Sequence, residues 1–123
     1  MTSRILYVDD EEDIREVASM SLELDPGLEV RTCSSGIEAI PAAAEWQPDL
    51  ILLDVMMPNM DGPTTFSKLK AQAETADIPV VFITARTQAQ EVEAFKALGA
   101  KGVIAKPFDP MSLAGKVREY LAQ

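Results

Sequence analysis

The sequence predicts a single α/β domain over residues 1–123: a doubly wound, five-stranded parallel sheet with five helices. Three observations carry this reading. Five short apolar runs recur along the chain, the segments between them space apolar residues at helical intervals, and the central runs are almost wholly apolar instead of alternating. Unbroken apolar runs suit strands covered on both faces, as in a parallel sheet with helices on each side. Strand followed by helix five times over is the doubly wound order.

The first run is ILYV at 5–8, followed by a helix with Ile14, Val17, Ala18 and Leu22 on its inner face. The second is LEVRTC at 28–33. Ser35 and Glu38 then have capping-box spacing for a second helix, and Pro41, about a turn and a half in, should remove a backbone bond or kink the helix start. After LILLD at 50–54, Gly62 before Pro63 fits the N-cap and first turn of a third helix. VVFIT at 80–84 precedes Thr87 and Gln90, again a capping-box pair, and a helix facing inward through Val92, Phe95 and Leu98. VIA at 103–105 is the last strand. Asp109 before Pro110 opens the last helix, which turns Leu113, Val117 and Leu121 inward. There are no repeats, low-complexity tracts or linkers.

The composition, 47% hydrophobic and 25% charged, is that of one globular domain. No apolar run approaches the roughly 20 residues needed to span a bilayer, and MTSRILYVDD lacks a signal-peptide plan, so a soluble cytoplasmic protein is expected. The single cysteine, Cys33, excludes an internal disulfide and reads as a small buried side chain. A net charge of −9 argues against nucleic acid or an anionic membrane as direct partner. The charge is uneven: 16 acidic and 5 basic residues through Ala85, but 4 acidic and 6 basic from Arg86 onward. The absence of histidine excludes a Ser-His-Asp triad, a Cys-His pair and a histidine-built zinc site. Carboxylates, hydroxyls and lysines remain for chemistry.

Ligands of such sheets sit beyond the carboxyl ends of the strands, where strand order reverses. At those ends stand Asp9 and Asp10, Asp54, Thr84 and Lys106. Asp9 and Asp10 belong to YVDDEED, five adjacent carboxylates whose mutual repulsion makes a cation favourable among them. Asp54 follows Leu50, Ile51, Leu52 and Leu53, where an unpaired charge is costly. Met56, Met57 and Met60 read as packing under the loop around Pro58 and Gly62.

The segments VDDEEDI, LLDVMMPNMDG, VVFITAR and GVIAKPF resemble, in order and spacing, the signature of response-regulator receiver domains, the CheY-like family of two-component signalling. The resemblance covers essentially the whole chain. It implies a flavodoxin-like sheet of order 2-1-3-4-5, with Asp54 as acceptor of a phosphoryl group from a phosphohistidine. It implies Mg²⁺ held directly by Asp10, Asp54 and the Met56 carbonyl, with Asp9 acting mainly through water. Lys106 is expected to pair with the phosphate or, before phosphorylation, with Asp54; the Thr84 hydroxyl and Ala85 amide are expected to donate to phosphoryl oxygens. The family also has a cis bond at the position of Lys106-Pro107. Glu11, Glu12 and Asp13 read as charges at a solvated helix start.

Two departures from the family pattern stand out. Many receivers carry Tyr or Phe where this chain has Val103, and a stiff β-branched side chain has no ring to swing. The expectation is that Thr84 is still drawn inward and that the loop before the fourth helix shifts by repacking through Phe82 or Phe95. Met56 and Arg86, flanking the path of the hydrolytic water in the family, offer neither amide nor carboxylate to orient it, so slow self-dephosphorylation is expected.

The resulting expectation is a stand-alone phosphorylation switch loaded by a sensor histidine kinase or a histidine phosphotransfer protein. Output runs through a downstream protein at the face of helix four, strand five and helix five, which is also a candidate homodimer face. Enzymatic activity beyond self-phosphorylation and self-dephosphorylation is not implied. The alternatives are a phosphate sink in a relay, or an Mg²⁺-dependent phosphohydrolase of the haloacid-dehalogenase type. The latter needs a second Asp where Met56 stands. Nucleotide or flavin binding lacks its Gly-rich loop.

Overall fold

The computed structural model describes residues 2–123. Its elements run β1 (Ser3–Val8), α1 (Glu12–Glu23), β2 (Leu28–Cys33), α2 (Gly36–Trp46), β3 (Leu50–Asp54), α3 (Gly62–Ala71), β4 (Val80–Thr84), α4 (Ala89–Leu98), β5 (Gly102–Ala105) and α5 (Leu113–Leu121). The strands pair in parallel in the order β2-β1-β3-β4-β5. This is the flavodoxin-like, doubly wound arrangement expected from the sequence.

Successive strand residues face opposite sides of the sheet. Leu6, Val8, Ile51, Leu53, Val80 and Phe82 pack with Ala39, Phe66 and Leu69 from α2 and α3. Ile5, Tyr7, Leu50, Leu52, Val81 and Ile83 pack with Ala18, Leu22, Leu113 and Val117 from α1 and α5. Every residue of β3 and β4 is buried, which is why their sequences do not alternate. Cys33 is buried as expected, and burial first, then Glu38, pushes its thiol up to about 12. The Lys106-Pro107 bond is cis. Among the described residues no helix is long and apolar enough to cross a membrane.

The strands match their expected spans except at two starts. β1 begins at Ser3 because Ser3 and Arg4 pair with Leu28 and Glu29 of β2. β5 begins at Gly102, where a Cβ would meet the Tyr120 hydroxyl at 2.5 Å. Glycine is what lets α5 lie this close, with Tyr120 donating to the Val103 carbonyl at 3.2 Å.

The helix starts needed more correction. Ser35 does cap α2, accepting from Glu38 N–H at 3.1 Å, but the Glu38 carboxylate turns back to the amide of Ser34 and not to that of Ser35. Pro41 lies inside α2, which nevertheless continues to Trp46. The α3 cap is Asp61, not Gly62, because a carboxylate can accept from Thr64 N–H, at 2.9 Å, and a glycine has no side chain to do so. Thr87 does not cap α4; Gln88 holds that place without a side-chain bond. Asp109 closes a separate turn, accepting from Met111 N–H and Ser112 N–H, so α5 starts later with Ser112 at the cap. α4 buries no residue: Val92 and Phe95 are half-buried and Leu98 is exposed, because the edge strand β5 beneath it is only four residues long. Val17 on α1 is likewise more exposed than its spacing suggested.

Candidate functional site

Chain order reverses between β1 and β3, so the carboxyl ends of these neighbours frame the crevice of the sheet. The register Val8↔Leu53 sets Asp9 and Asp54 beside each other, one step beyond. Asp54 in turn pairs with Ile83, and Thr84 with Ala105, which brings the ends of β4 and β5 to the same edge. Lys106 N–H donates to the Thr84 carbonyl at 2.9 Å and fixes where the lysine leaves the strand. Parallel pairing thus gathers residues from four distant parts of the chain.

Asp9 and Asp54 are buried, whereas Asp10 is exposed. One carboxylate oxygen from each lies within 4.8 Å of the others. Such crowding is unfavourable unless compensated. Lys106 supplies part of the compensation, with Nζ 3.0 Å from Asp9 Oδ2, 3.1 Å from Glu11 Oε1 and 3.4 Å from Asp54 Oδ2. The lysine is therefore shared and stands closer to Asp9 than to Asp54, its expected partner.

Further donors hold Asp9. The Tyr7 hydroxyl donates to Oδ2 at 3.1 Å, Glu11 N–H donates to Oδ1 at 3.0 Å, and the Arg15 guanidinium donates to the Asp9 carbonyl at 2.8 Å. Burial first, and the charge of Asp9 second, push Asp54 well above the usual carboxylate range, with Lys106 pulling the other way. For Lys106 burial works against the charge, but the bonds to Asp9 and Glu11 outweigh it and raise its pKa. Burial and Asp9 also raise Tyr7, keeping its hydroxyl protonated as a donor.

Thr84 is buried, and its Oγ1 accepts from Arg86 N–H at 3.0 Å; Ala85 is exposed at the strand end. Neither makes a side-chain bond to Asp54 or Lys106. Met56 is 73% exposed, so of the three methionines expected to pack under the loop only Met57 is buried and Met60 half-buried. The Val55 carbonyl accepts from Gly62 N–H and that of Pro58 from Met60 N–H, which leaves the Met56 carbonyl outside the loop's backbone bonds among the described residues. Met56, Thr84, Arg86 and Phe95 line an open cleft of about 270 Å³.

Sequence reasoning missed Tyr7, Arg15 and the bond between Lys106 and Glu11, which otherwise stands at the exposed start of α1 as expected. Tyr7 carried a usable signal: two residues before Asp9, it shares that residue's side of the strand. Glu11 carried none, since its partner Lys106 lies 95 positions away. Glu12 and Asp13 are exposed in the first turn of α1, as expected.

The donor set, three carboxylates and no nitrogen or sulfur, fits a hard divalent cation such as Mg²⁺. Comparison with known proteins bears on the family and the fold. A family model for the response regulator receiver domain matches residues 5–118. The chain is 40% identical over 119 residues to the DNA-binding dual master transcriptional regulator RpaA of Synechocystis sp., covering 96% of this chain and 48% of that protein. It is 36% identical to the DNA-binding response regulator MtrA of Mycolicibacterium paratuberculosis, covering 98% of this chain and 52% of that one. The chain thus spans about half the length of the curated relatives it matches. The solved chemotaxis response regulator CheY4 of Vibrio cholerae superposes with a TM-score of 0.88 at 32% identity, over 98% of this chain and 99% of that one.

Proposed function

The chain belongs to the response-regulator receiver family, and on that premise we propose that it is a phosphorylation switch in which Asp54 accepts a phosphoryl group from a phosphohistidine. The observation that carries the reading is the meeting of the buried Asp54 with Asp9, Asp10 and Lys106 at the sheet's switch point. A carboxylate oxygen of Asp54 forms the bond to phosphorus while the phosphorus–nitrogen bond breaks. Its electron pair goes to the donor imidazole, which takes up a proton from solvent. An ionised carboxylate needs no general base, which suits a chain without histidine.

Asp10, Asp54 and the Met56 carbonyl would hold Mg²⁺ directly and Asp9 mainly through water; the cation would neutralise charge on the transferring group. Lys106 would shift from the carboxylates to a phosphoryl oxygen. Thr84 would donate its hydroxyl to a second oxygen, and the Ala85 amide would be another donor. The whole described chain would act as this one receiver unit. Its donor would be a sensor histidine kinase or phosphotransfer protein, and its output a protein partner at α4, β5 and α5, within the segment from Arg86 onward where six basic residues stand against four acidic ones, and a second copy is the competing occupant. A cytoplasmic setting follows from such a donor. No nucleic-acid contact is proposed for a surface of net charge −9.

Incubation with acetyl phosphate and Mg²⁺, read by intact mass, tests the reading. Wild type should gain one phosphoryl group and Asp54→Asn none. No gain in wild type, or equal gain in the variant, defeats it. Release of free phosphate from many phosphomonoesters would favour the phosphohydrolase alternative.

A further inference from the structure

An ammonium group has three N–H donors, and Lys106 has three carboxylate partners: Asp9 at 3.0 Å, Glu11 at 3.1 Å and Asp54 at 3.4 Å. Asp9 and Asp54 belong to the cluster suited to a divalent cation; Glu11 does not. Yet Glu11 is not a loose surface acid. Its N–H is tied to Asp9 Oδ1, and its carbonyl accepts from Arg15 N–H at the start of α1. Its side chain makes no capping bond, so its carboxylate is free for Lys106.

We propose that Glu11 is a positioning residue for Lys106, holding the ammonium to one side of the cluster so that Asp54, directly, and Asp9, through water, can receive a divalent cation without stranding the lysine. The proposal rests on the metal-assisted reading above. Asp9 Oδ2 cannot serve Lys106 and a cation at full strength together, and two cations side by side repel. Without Glu11, the remaining partners of Lys106 are Asp9 and Asp54, so lysine and cation compete for the same oxygens. Glu11 gives the lysine a third position that costs the cation nothing. The carboxylate is 60% exposed and the lysine 18%, so solvent limits the effect to a few fold.

Isothermal titration of unphosphorylated protein with Mg²⁺ alone provides the test, in wild type, Glu11→Gln, Lys106→Ala and the double variant. Glu11→Gln should weaken binding by about threefold to fivefold when Lys106 is present and by less than about 1.5-fold when it is not. Glu11→Asp keeps the charge but withdraws it from Nζ, and should behave like Glu11→Gln. Equal weakening in both lysine backgrounds, no weakening with Lys106 present, or a wild-type-like Glu11→Asp would overturn the proposal. A wild type that binds no Mg²⁺ would overturn the metal reading and this inference together. Binding by wild type with Glu11→Gln unchanged would overturn only the role of Glu11.

Discussion

The ammonium of Lys106 lies 3.0 Å from Oδ2 of Asp9, a fully buried carboxylate 97 positions earlier in the chain. This contact spans the sheet from the end of β5 to the end of β1 and leaves Asp54 as the more distant partner, at 3.4 Å. One lysine thus serves two buried carboxylates and one exposed one. The site holds an excess of negative charge, and the fold bears the strain of it.

That strain is measurable as stability. Asp54 has a folded pKa raised chiefly by burial, so the folded state binds its proton more tightly than the unfolded state does. Stability from this group therefore falls as pH rises from the ordinary carboxylate value through the raised folded value, and is level above it. Metal-free Asp54→Asn should be more stable than wild type at pH 7 by roughly 1–3 kcal/mol, with the advantage shrinking as pH is lowered. Urea titrations across pH check this; a variant less stable than wild type at pH 7 contradicts it.

Asp25 behaves in the opposite sense. Hydrogen bonds from Arg118, at 2.7 and 2.9 Å, and then from Gly27 N–H lower it to about 2. Its contribution is present above the ordinary value of 3.8 and is lost as pH falls through about 2. Asp25→Asn should lower the Tm at pH 7, with the difference closing in strong acid. A difference that does not change with pH would place the effect elsewhere.

Gly62 supports Asp54 from behind. A Cβ there would lie 2.5 Å from the Asp54 carbonyl and 2.8 Å from the Val55 Cα, both backbone atoms that cannot rotate away. Gly62→Ala should cost about 1–3 kcal/mol and slow phosphorylation of Asp54 by displacing the end of β3. Chemical denaturation and acetyl phosphate kinetics measure the two effects separately.

Met56 and Arg86 line the cleft beside Thr84, and neither carries a group that orients water for attack on a phosphoryl group. Met56→Asn combined with Arg86→Glu should speed decay of the phosphorylated form by about tenfold or more. An unchanged decay rate, followed by intact mass after removal of the donor, would sink the idea.

Signal output without an aromatic at Val103 is expected to pass through packed rings. Phe82 lies on β4, two residues before Thr84, with ring centroids 5.5 Å from Phe66 and 4.8 Å from Phe95. Inward movement of Thr84 should repack Phe95 against Phe82 and shift the thinly buried α4. Beryllofluoride with Mg²⁺ should change backbone chemical shifts across residues 85–105; silence there would point to a receiver that binds its partner constitutively.

The runs at 50–54 and 80–84 were legible as strands to the residue because burial on both faces leaves no other composition, and the edge strand at 28–33 was legible although only Leu28 and Cys33 of it are buried. Helix starts were less legible. Asp61 displaced Gly62 because its carboxylate meets a free amide, whereas Gln88 and Ser112 took the places of Thr87 and Asp109 with no side-chain bond, so spacing alone does not locate a cap. The inward face of α4 was misread because periodicity reports an apolar stripe, not the amount of sheet available to cover it.

The sequence by itself determined the α/β order, the family, and the presence of Asp9, Asp10, Asp54, Thr84 and Lys106 at strand ends, because local patterning dictates strands and strand ends dictate where a parallel sheet exposes its chemistry. Only the tertiary structure decided how those groups share charge. That Lys106 leans toward Asp9 and that Glu11 is drawn in depend on distances between residues 95 and 97 positions apart. Such distances come from the packing of β1, β3 and β5 in one sheet, and no local pattern encodes them.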